Sequence, residues 1–203
     1  MLNKLKFLQR KILIPDYLKF IISNFKFTTV ADFLKASDVL SNLHLKSNMT
    51  GAEFGCGSAE IAITLAKILD DGRVYALDIQ EEKLSALKGK LSQQKVSNIV
   101  TVLCDLEAEK GSTLQENSID VVILANILFQ ADNKHAIINE AKRVLKKDGQ
   151  ILVIDWLKKS SFGPEKIMAP EEVKNIAAEF GLSVIKEFSS GEYHYGLIFK
   201  NNE

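Results

Sequence analysis

Residues 50–60 read TGAEFGCGSAE. A short apolar approach from Met49 runs into an acid, Glu53, and then into the glycine-rich turn Gly55-Cys56-Gly57. From Ile61 the apolar residues fall at helical spacing, with Ile61, Leu65 and Ile68 on one stripe and Ala62, Ala66 and Leu69 beside it. The pattern predicts a strand, a tight turn and a helix. Glycines let a backbone approach a ligand closely, and a helix N-terminus presents free N–H groups at the positive end of its dipole. Twenty-one residues after Gly57, a second strand-like run, Arg73-Val-Tyr-Ala-Leu, ends in Asp78. An acid at that place can accept from the two hydroxyls of a ribose. The stretch predicts a nucleoside-cofactor site.

Details of the turn choose the cofactor. A dinucleotide fingerprint needs glycine or alanine at its third conserved position, and here that position is Glu60. Its negative charge opposes a pyrophosphate. Read as acid-x-Gly-x-Gly-x-small, the residues Glu53, Gly55, Gly57 and Ala59 fit without a gap. In this form the stretch resembles the first motif of the class I S-adenosylmethionine-dependent methyltransferases, whose turn lies against the methionine part of the cofactor.

Later elements extend the resemblance. Residues 81–95 predict a helix with Leu84, Leu87 and Leu91 inward, and residues 99–103 predict a third, buried strand ending at Cys104-Asp105-Leu106. An acid after that strand is where the family holds the adenine amino group; a helix or turn cap is the alternative for Asp105. Residues 107–117 are polar and predict a loop. Residues 119–125 predict the fourth strand, followed by Asn126, where the family's strand end sits by the sulfonium. The Asp/Asn-Pro-Pro-aromatic signature of amino-directed enzymes is absent. Asp132 is the expected cap of a helix that buries Ile137, Ile138, Ala141, Val144 and Leu145. The run Arg143-Val144-Leu145-Lys146 with Gly149 and a fifth strand over 150–156 accompanies the same family. Pro170, Glu171, Glu172 and Gly181 mark a last helix. Residues 182–188 and 193–200 predict a closing hairpin around Ser189-Ser190-Gly191.

The resemblance implies a Rossmann-like three-layer α/β sandwich. Its seven-stranded, mostly parallel sheet would carry a C-terminal antiparallel hairpin. It carries cofactor contact onto Glu53, Gly55, Cys56, Gly57 and Ala59, onto Asp78 and Ile79, onto Asp105 and Leu106, and onto Asn126. The Glu-x-Gly-Cys-Gly turn, the Asp78-Ile79 ending and the Pro-Glu-Glu helix are similar to the ubiquinone/menaquinone and arsenite group. Arsenite chemistry needs more cysteines than Cys56 and Cys104.

Composition sets the bounds. A chain of 203 residues suits one domain with an extension, and we expect a helical extension over residues 1–45 and the cofactor-binding domain over 46–203. Twenty-six basic and twenty-six acidic residues cancel, so no global field draws nucleic acid, and a small-molecule acceptor is the expected partner. The two cysteines end the first and third strands, roughly 10 Å apart across the second, beyond disulfide reach. Free thiols and a cytoplasmic location are the expectation. No Cys/His cluster has metal spacing, and no apolar run reaches the roughly 18 residues of a membrane-spanning helix. Residues 1–27 set six basic residues against one acid, Asp16, among Leu, Ile and Phe. They read as a lid, as a peripheral membrane contact, or as an extension that leaves its lysines in water. A helix follows, with Thr29 and Asp32 as a capping box and Phe33, Leu34, Leu40 and Leu43 inward.

Methyl transfer from a sulfonium asks the protein to align donor and acceptor, and needs a base only if the acceptor must lose a proton early. Asp155, late in the fifth strand, is either that base or a cap on the following loop. His194 is either a base or a structural histidine, and His135 is expected at the surface. Trp156, Phe129 and Phe162 are candidates to line an apolar acceptor pocket or to belong to the core. Two other readings stay open: a nicotinamide-dependent oxidoreductase, against which Glu60 and the terminal hairpin speak, and a cofactor-binding module without transferase activity.

Overall fold

The computed structural model describes residues 34–159 and 163–202, all within the unit Leu34–Glu203. The expectations for residues 1–27, for Thr29, Asp32 and Phe33, and for Phe162 fall outside the described residues. A short helix α1 (Ala36–Leu40) precedes an alternating chain of strands and helices. These are β1 (Thr50–Phe54), α2 (Glu60–Ile68), β2 (Arg73–Asp78), α3 (Glu81–Gln94), β3 (Ile99–Leu103) and β4 (Ile119–Ala125). A 3-10 turn (Leu128–Gln130), α4 (Lys134–Val144), β5 (Leu145–Trp156), α5 (Pro170–Glu179), β6 (Leu182–Ser190) and β7 (His194–Asn201) complete it.

The seven strands form one sheet in the order β3-β2-β1-β4-β5-β7-β6. Pairing is parallel from β3 through β5, and β7 runs antiparallel to both its neighbours. Strand side chains alternate between faces, and each face has its own core. Val74, Ala76, Val121, Ile123, Leu152 and Ile154 pack with Ile61, Leu65, Leu84 and Leu87 of α2 and α3. Ala52, Phe54, Val122, Leu124, Ile151 and Val153 pack with Ile137, Ala141, Val173 and Ile176 of α4 and α5. The result is a three-layer, doubly wound α/β sandwich. Its winding reverses between β1 and β4, the switch point at whose carboxyl edge such sheets bind ligands.

The structure departs from the sequence reading in a few places, each for a physical reason. The third strand is not buried on both sides. β3 has one neighbour, β2, and its Val100 and Leu103 are exposed. The cap of α4 is Asn133, whose side chain accepts from the Ala136 N–H at 3.0 Å, instead of Asp132. β5 starts at Leu145, which pairs with Ile119 before an irregularity restores register at Val121 and Gln150. Ile68 is exposed, because α2 ends there and Leu69 turns inward in its place.

The loop expected over 107–117 is anchored by a buried polar cluster. Glu140 of α4 accepts from the Ser112 backbone and hydroxyl and from Arg143. These bonds hold its carboxyl below the usual carboxylate range against the burial that raises it. Arg143 also donates to the Leu114 carbonyl at 2.8 Å.

Candidate functional site

β1 delivers the chain to a turn that the end of β2 holds in place. The N–H groups of Gly55 and Cys56 both donate to the Leu77 carbonyl at 2.8 Å. Gly55 (φ +73) and Gly57 (φ +47) adopt the left-handed region that only glycine enters freely. A Cβ at Gly55 would lie 2.6 Å from Ile127 Cδ1. The bare backbone there lets the end of β4 close on the turn at the switch point. Ala59 is also left-handed (φ 60) and offers no side-chain cap to α2. The cap comes from below, where Glu53 Oε2 accepts from the Ala62 N–H at 2.8 Å. Part of the free helix N-terminus expected from sequence is therefore taken by this buried carboxyl. Burial pushes Glu53 up to about 8, opposed by the Ala62 bond and reinforced by Asp78 and Glu60.

Asp78 closes β2 with both oxygens fixed. Oδ2 accepts from the Gly57 N–H at 2.8 Å and Oδ1 from the Gln80 N–H at 2.9 Å. Asp78 lines a cavity of about 390 Å³, within the size range of small-ligand sites. Gly55, Gly57, Asp78, Ile79, Asp105 and Leu106 all line it, with Gln80, Lys83, Cys104, Glu107, Ile127, Gln130, Ala131 and Ile137. Ile79 is 64% exposed, a large apolar side chain open to the cavity beside a carboxylate. Asp105 Oδ1 accepts from the Glu107 N–H at 2.9 Å, which sets the turn after β3. Among the proposed cofactor residues, Glu53, Cys56, Ala59 and Asn126 are not in this lining.

Beyond the switch point the polar groups differ. Asn126 is left-handed (φ 54), and its N–H donates to the Ile154 carbonyl at 2.8 Å. Its side-chain Oδ1 is buried without a partner. Asp155 is fully buried. Its oxygens accept from the Trp156 N–H at 2.8 Å and the Phe129 N–H at 3.1 Å. The carboxyl thus holds the 3-10 turn that carries Gln130 to the cavity, and burial raises it to about 6. His194 is 1% exposed, with neither ring nitrogen hydrogen-bonded. Asp155 pairs in register with Tyr195 and Trp156 with His194, so the two sequence candidates for a base lie on opposite faces of the sheet and form no dyad. His135 lies at the surface, 3.5 Å from Glu179. Both thiols are free; burial pushes Cys56 up to about 12 and Cys104 to about 11.

Several contributors were not visible in the sequence. Ile127 meets Gly55 only through long-range strand pairing. A Cβ at Gly111 would lie 1.9 Å from the Asp105 carbonyl oxygen, so Gly111 fixes the turn that presents Asp105 and Leu106. A glycine inside a polar loop was the signal available for it.

A doubly wound sheet with a cavity at its switch point, lined by the acid that ends β2, is a domain of the Rossmann-like class. The family described as "Methyltransferase domain" matches residues 45–199, and the chain belongs to it. A SAM-dependent methyltransferase from Aquifex aeolicus superposes with a TM-score of 0.76 at 25% identity, over 84% of this chain and 91% of that one. Ribosomal RNA-processing protein 8 of Arabidopsis thaliana is 27% identical over 154 residues, 75% of this chain and 44% of its own. Demethylmenaquinone methyltransferase of Lactiplantibacillus plantarum is 26% identical over 121 residues, 57% of this chain and 48% of its own. The chain spans about half the length of the curated relatives it matches. Its domain is that of a class I S-adenosylmethionine-dependent methyltransferase, with S-adenosylmethionine as cofactor.

Proposed function

We propose that this protein transfers a methyl group from S-adenosylmethionine to a small-molecule, lipophilic acceptor in the cytoplasm. The doubly anchored Asp78 carboxylate beside the exposed Ile79 carries the reading. A nucleoside needs a rigid acceptor for two ribose hydroxyls and an apolar face for its base, and these neighbours supply both. Asp105 serves the adenine amino group, Leu106 its ring, and the Gly55–Gly57 backbone the methionine arm. The unpartnered Asn126 Oδ1 fits a cofactor that brings an N–H or O–H donor, because a buried acceptor left alone costs about 1–3 kcal/mol. When bound, the cofactor supplies an activated methyl on a sulfonium, and the chemistry is its own. The chain binds, orients and excludes water. Glu53 sets the start of α2 under the turn, and Asp155 holds the turn bearing Gln130. No helix of the described residues is long and apolar enough to cross a membrane.

Calorimetric titration with S-adenosylmethionine, S-adenosylhomocysteine and NAD tests the cofactor assignment. The first two are expected to bind and NAD to give no heat; NAD binding alone would overturn it. Transfer of labelled methyl into a cell extract then tests the acceptor class. Label is expected in the organic-soluble, low-molecular-mass fraction. Label in RNA would favour a second reading, which the likeness to a ribosomal RNA-processing protein supports.

Gly111→Ala is expected to weaken S-adenosylhomocysteine binding about tenfold. The new methyl meets a backbone carbonyl that cannot swing aside, and relieving it moves Asp105 and Leu106. Affinity equal to wild type would place those two residues outside the binding surface.

A further inference from the structure

The buried side-chain polar groups left without a partner at the sheet's carboxyl edge, Asn126 Oδ1, the His194 ring and the Tyr195 hydroxyl, lie at the end of β4 and on β7, whereas Asp155 of β5 is hydrogen-bonded. On the β2–β3 side, Asp78 and Asp105 are hydrogen-bonded and open to the cavity. On the β5–β7 side, His194 is buried with both ring nitrogens unpartnered, its ring centroid 4.5 Å from that of Trp156 at a 42° tilt. Tyr195, whose hydroxyl is also unpartnered, is on the other face with Asp155. Position matters here. Asn126 at the end of β4 bonds to Ile154 of β5, two residues before Trp156, and Trp156 pairs with His194 on β7. With strands about 4.8 Å apart, His194 stands roughly 10 Å from the end of β4, on the side away from the ribose carboxylate.

We propose that His194, walled by Trp156, is the hydrogen-bonding group of the acceptor subsite, and that it selects an uncharged, flat acceptor bearing a hydroxyl group, of the phenol type. The inference rests on the methyltransferase reading above. A neutral imidazole has one N–H donor and one bare nitrogen acceptor. Leaving both unmade in a buried site is costly, and a ligand hydroxyl satisfies either by donating or by accepting. Burial alone holds His194 below its ordinary value, so the site is uncharged near neutral pH. The charged groups beyond these strand ends, Lys158 and Glu192, are paired with each other at 2.8 Å. Lys186, a cation on the same face, pairs in register with Ile198, four residues along β7 from His194 and thus roughly 13 Å away along the strand, and its Nζ lies over the Phe188 ring. The tilted indole and imidazole favour a ring that can meet them face or edge.

Trp156 is the single tryptophan of the chain, so its emission, excited at the red edge of the indole band, reports the subsite directly. The experiment saturates the full-length protein with S-adenosylhomocysteine, followed by calorimetry. Trp156 emission is then titrated with 4-butylphenol, butylbenzene, 4-butylbenzoate and 4-butylbenzylamine. The phenol is expected to bind roughly tenfold more tightly than each of the others. His194→Phe is expected to erase that difference while S-adenosylhomocysteine affinity stays at the wild-type value. Equal binding of phenol and butylbenzene overturns the proposal, as does preference for a charged analogue or no response of Trp156 to any of the four. These outcomes are read on the wild-type protein and do not depend on the variant folding. Failure of S-adenosylhomocysteine itself to bind overturns the methyltransferase reading and this inference with it. Its binding without phenol selectivity overturns this inference alone.

Discussion

Asp78→Ala is expected to weaken S-adenosylhomocysteine binding roughly a hundredfold, about 3 kcal/mol. Two losses add. On the proposed reading the ribose hydroxyls lose a carboxylate acceptor, and hydrogen bonds to charged groups contribute about 1.5–3 kcal/mol. The Gly57 and Gln80 N–H groups also lose their partner, so the turn is no longer held in its binding shape. A cofactor fragment separates the two effects. 5′-Methylthioadenosine keeps the ribose and adenine but lacks the amino-acid arm that the turn would hold. If Asp78 acts on the ribose, the fragment loses affinity by nearly the same factor as the whole molecule. If Asp78 acts only by shaping the turn, the fragment is spared. Unchanged affinity for both ligands, in a variant that melts as a folded protein, would remove Asp78 from the site.

The fold was legible because its signals are local. β1 to β4 each run into a residue type that strands dislike, Gly55, Asp78, Asp105 or Asn126, and the helices after β1, β2 and β4 announce their apolar stripes. Local signals do not say which strand lies at an edge. β3 reads as apolar throughout, yet it has one neighbour and shows Val100 and Leu103 to solvent. The site divides in the same way. Asp78 and Ile79 sit where a strand ends, and that position was readable. Which carboxyl faces the cavity and which caps a turn depends on alternation along β5 and on what packs above it. Asp155 reads from the sequence equally as base or cap, and its bonds to the Phe129 and Trp156 N–H groups include one across 26 residues that the sequence does not announce. Gly111 and Ile127 matter through contacts across sequence distances that no window spans.

Glu53 gives the second large effect, through pH. Burial raises its folded value to about 8 from an ordinary 4.5. Between those values the folded protein keeps a proton that the unfolded chain releases. The contribution of Glu53 to stability is therefore complete below about 4.5 and falls as pH rises toward 8, with a slope approaching about 1.4 kcal/mol per pH unit. Asp155, raised from 3.8 to about 6, acts with the same sign at lower pH. His194 acts with the opposite sign below its ordinary 6.5, because the unfolded imidazole takes up a proton that the buried one refuses. Between pH 6.5 and 8, Glu53 gives most of the change among these three, and the residual contributions of Asp155 and His194 are common to wild type and a Glu53 variant. Denaturant unfolding across that interval should show the wild type losing roughly 1.5 kcal/mol relative to Glu53→Gln. The amide keeps an oxygen for the Ala62 N–H and has no proton to lose, so its curve should stay nearly level. Parallel curves would mean that Glu53 is already ionised in the folded protein. The Ala62 bond would then outweigh burial, and α2 would start on a full negative charge directly under the glycine turn.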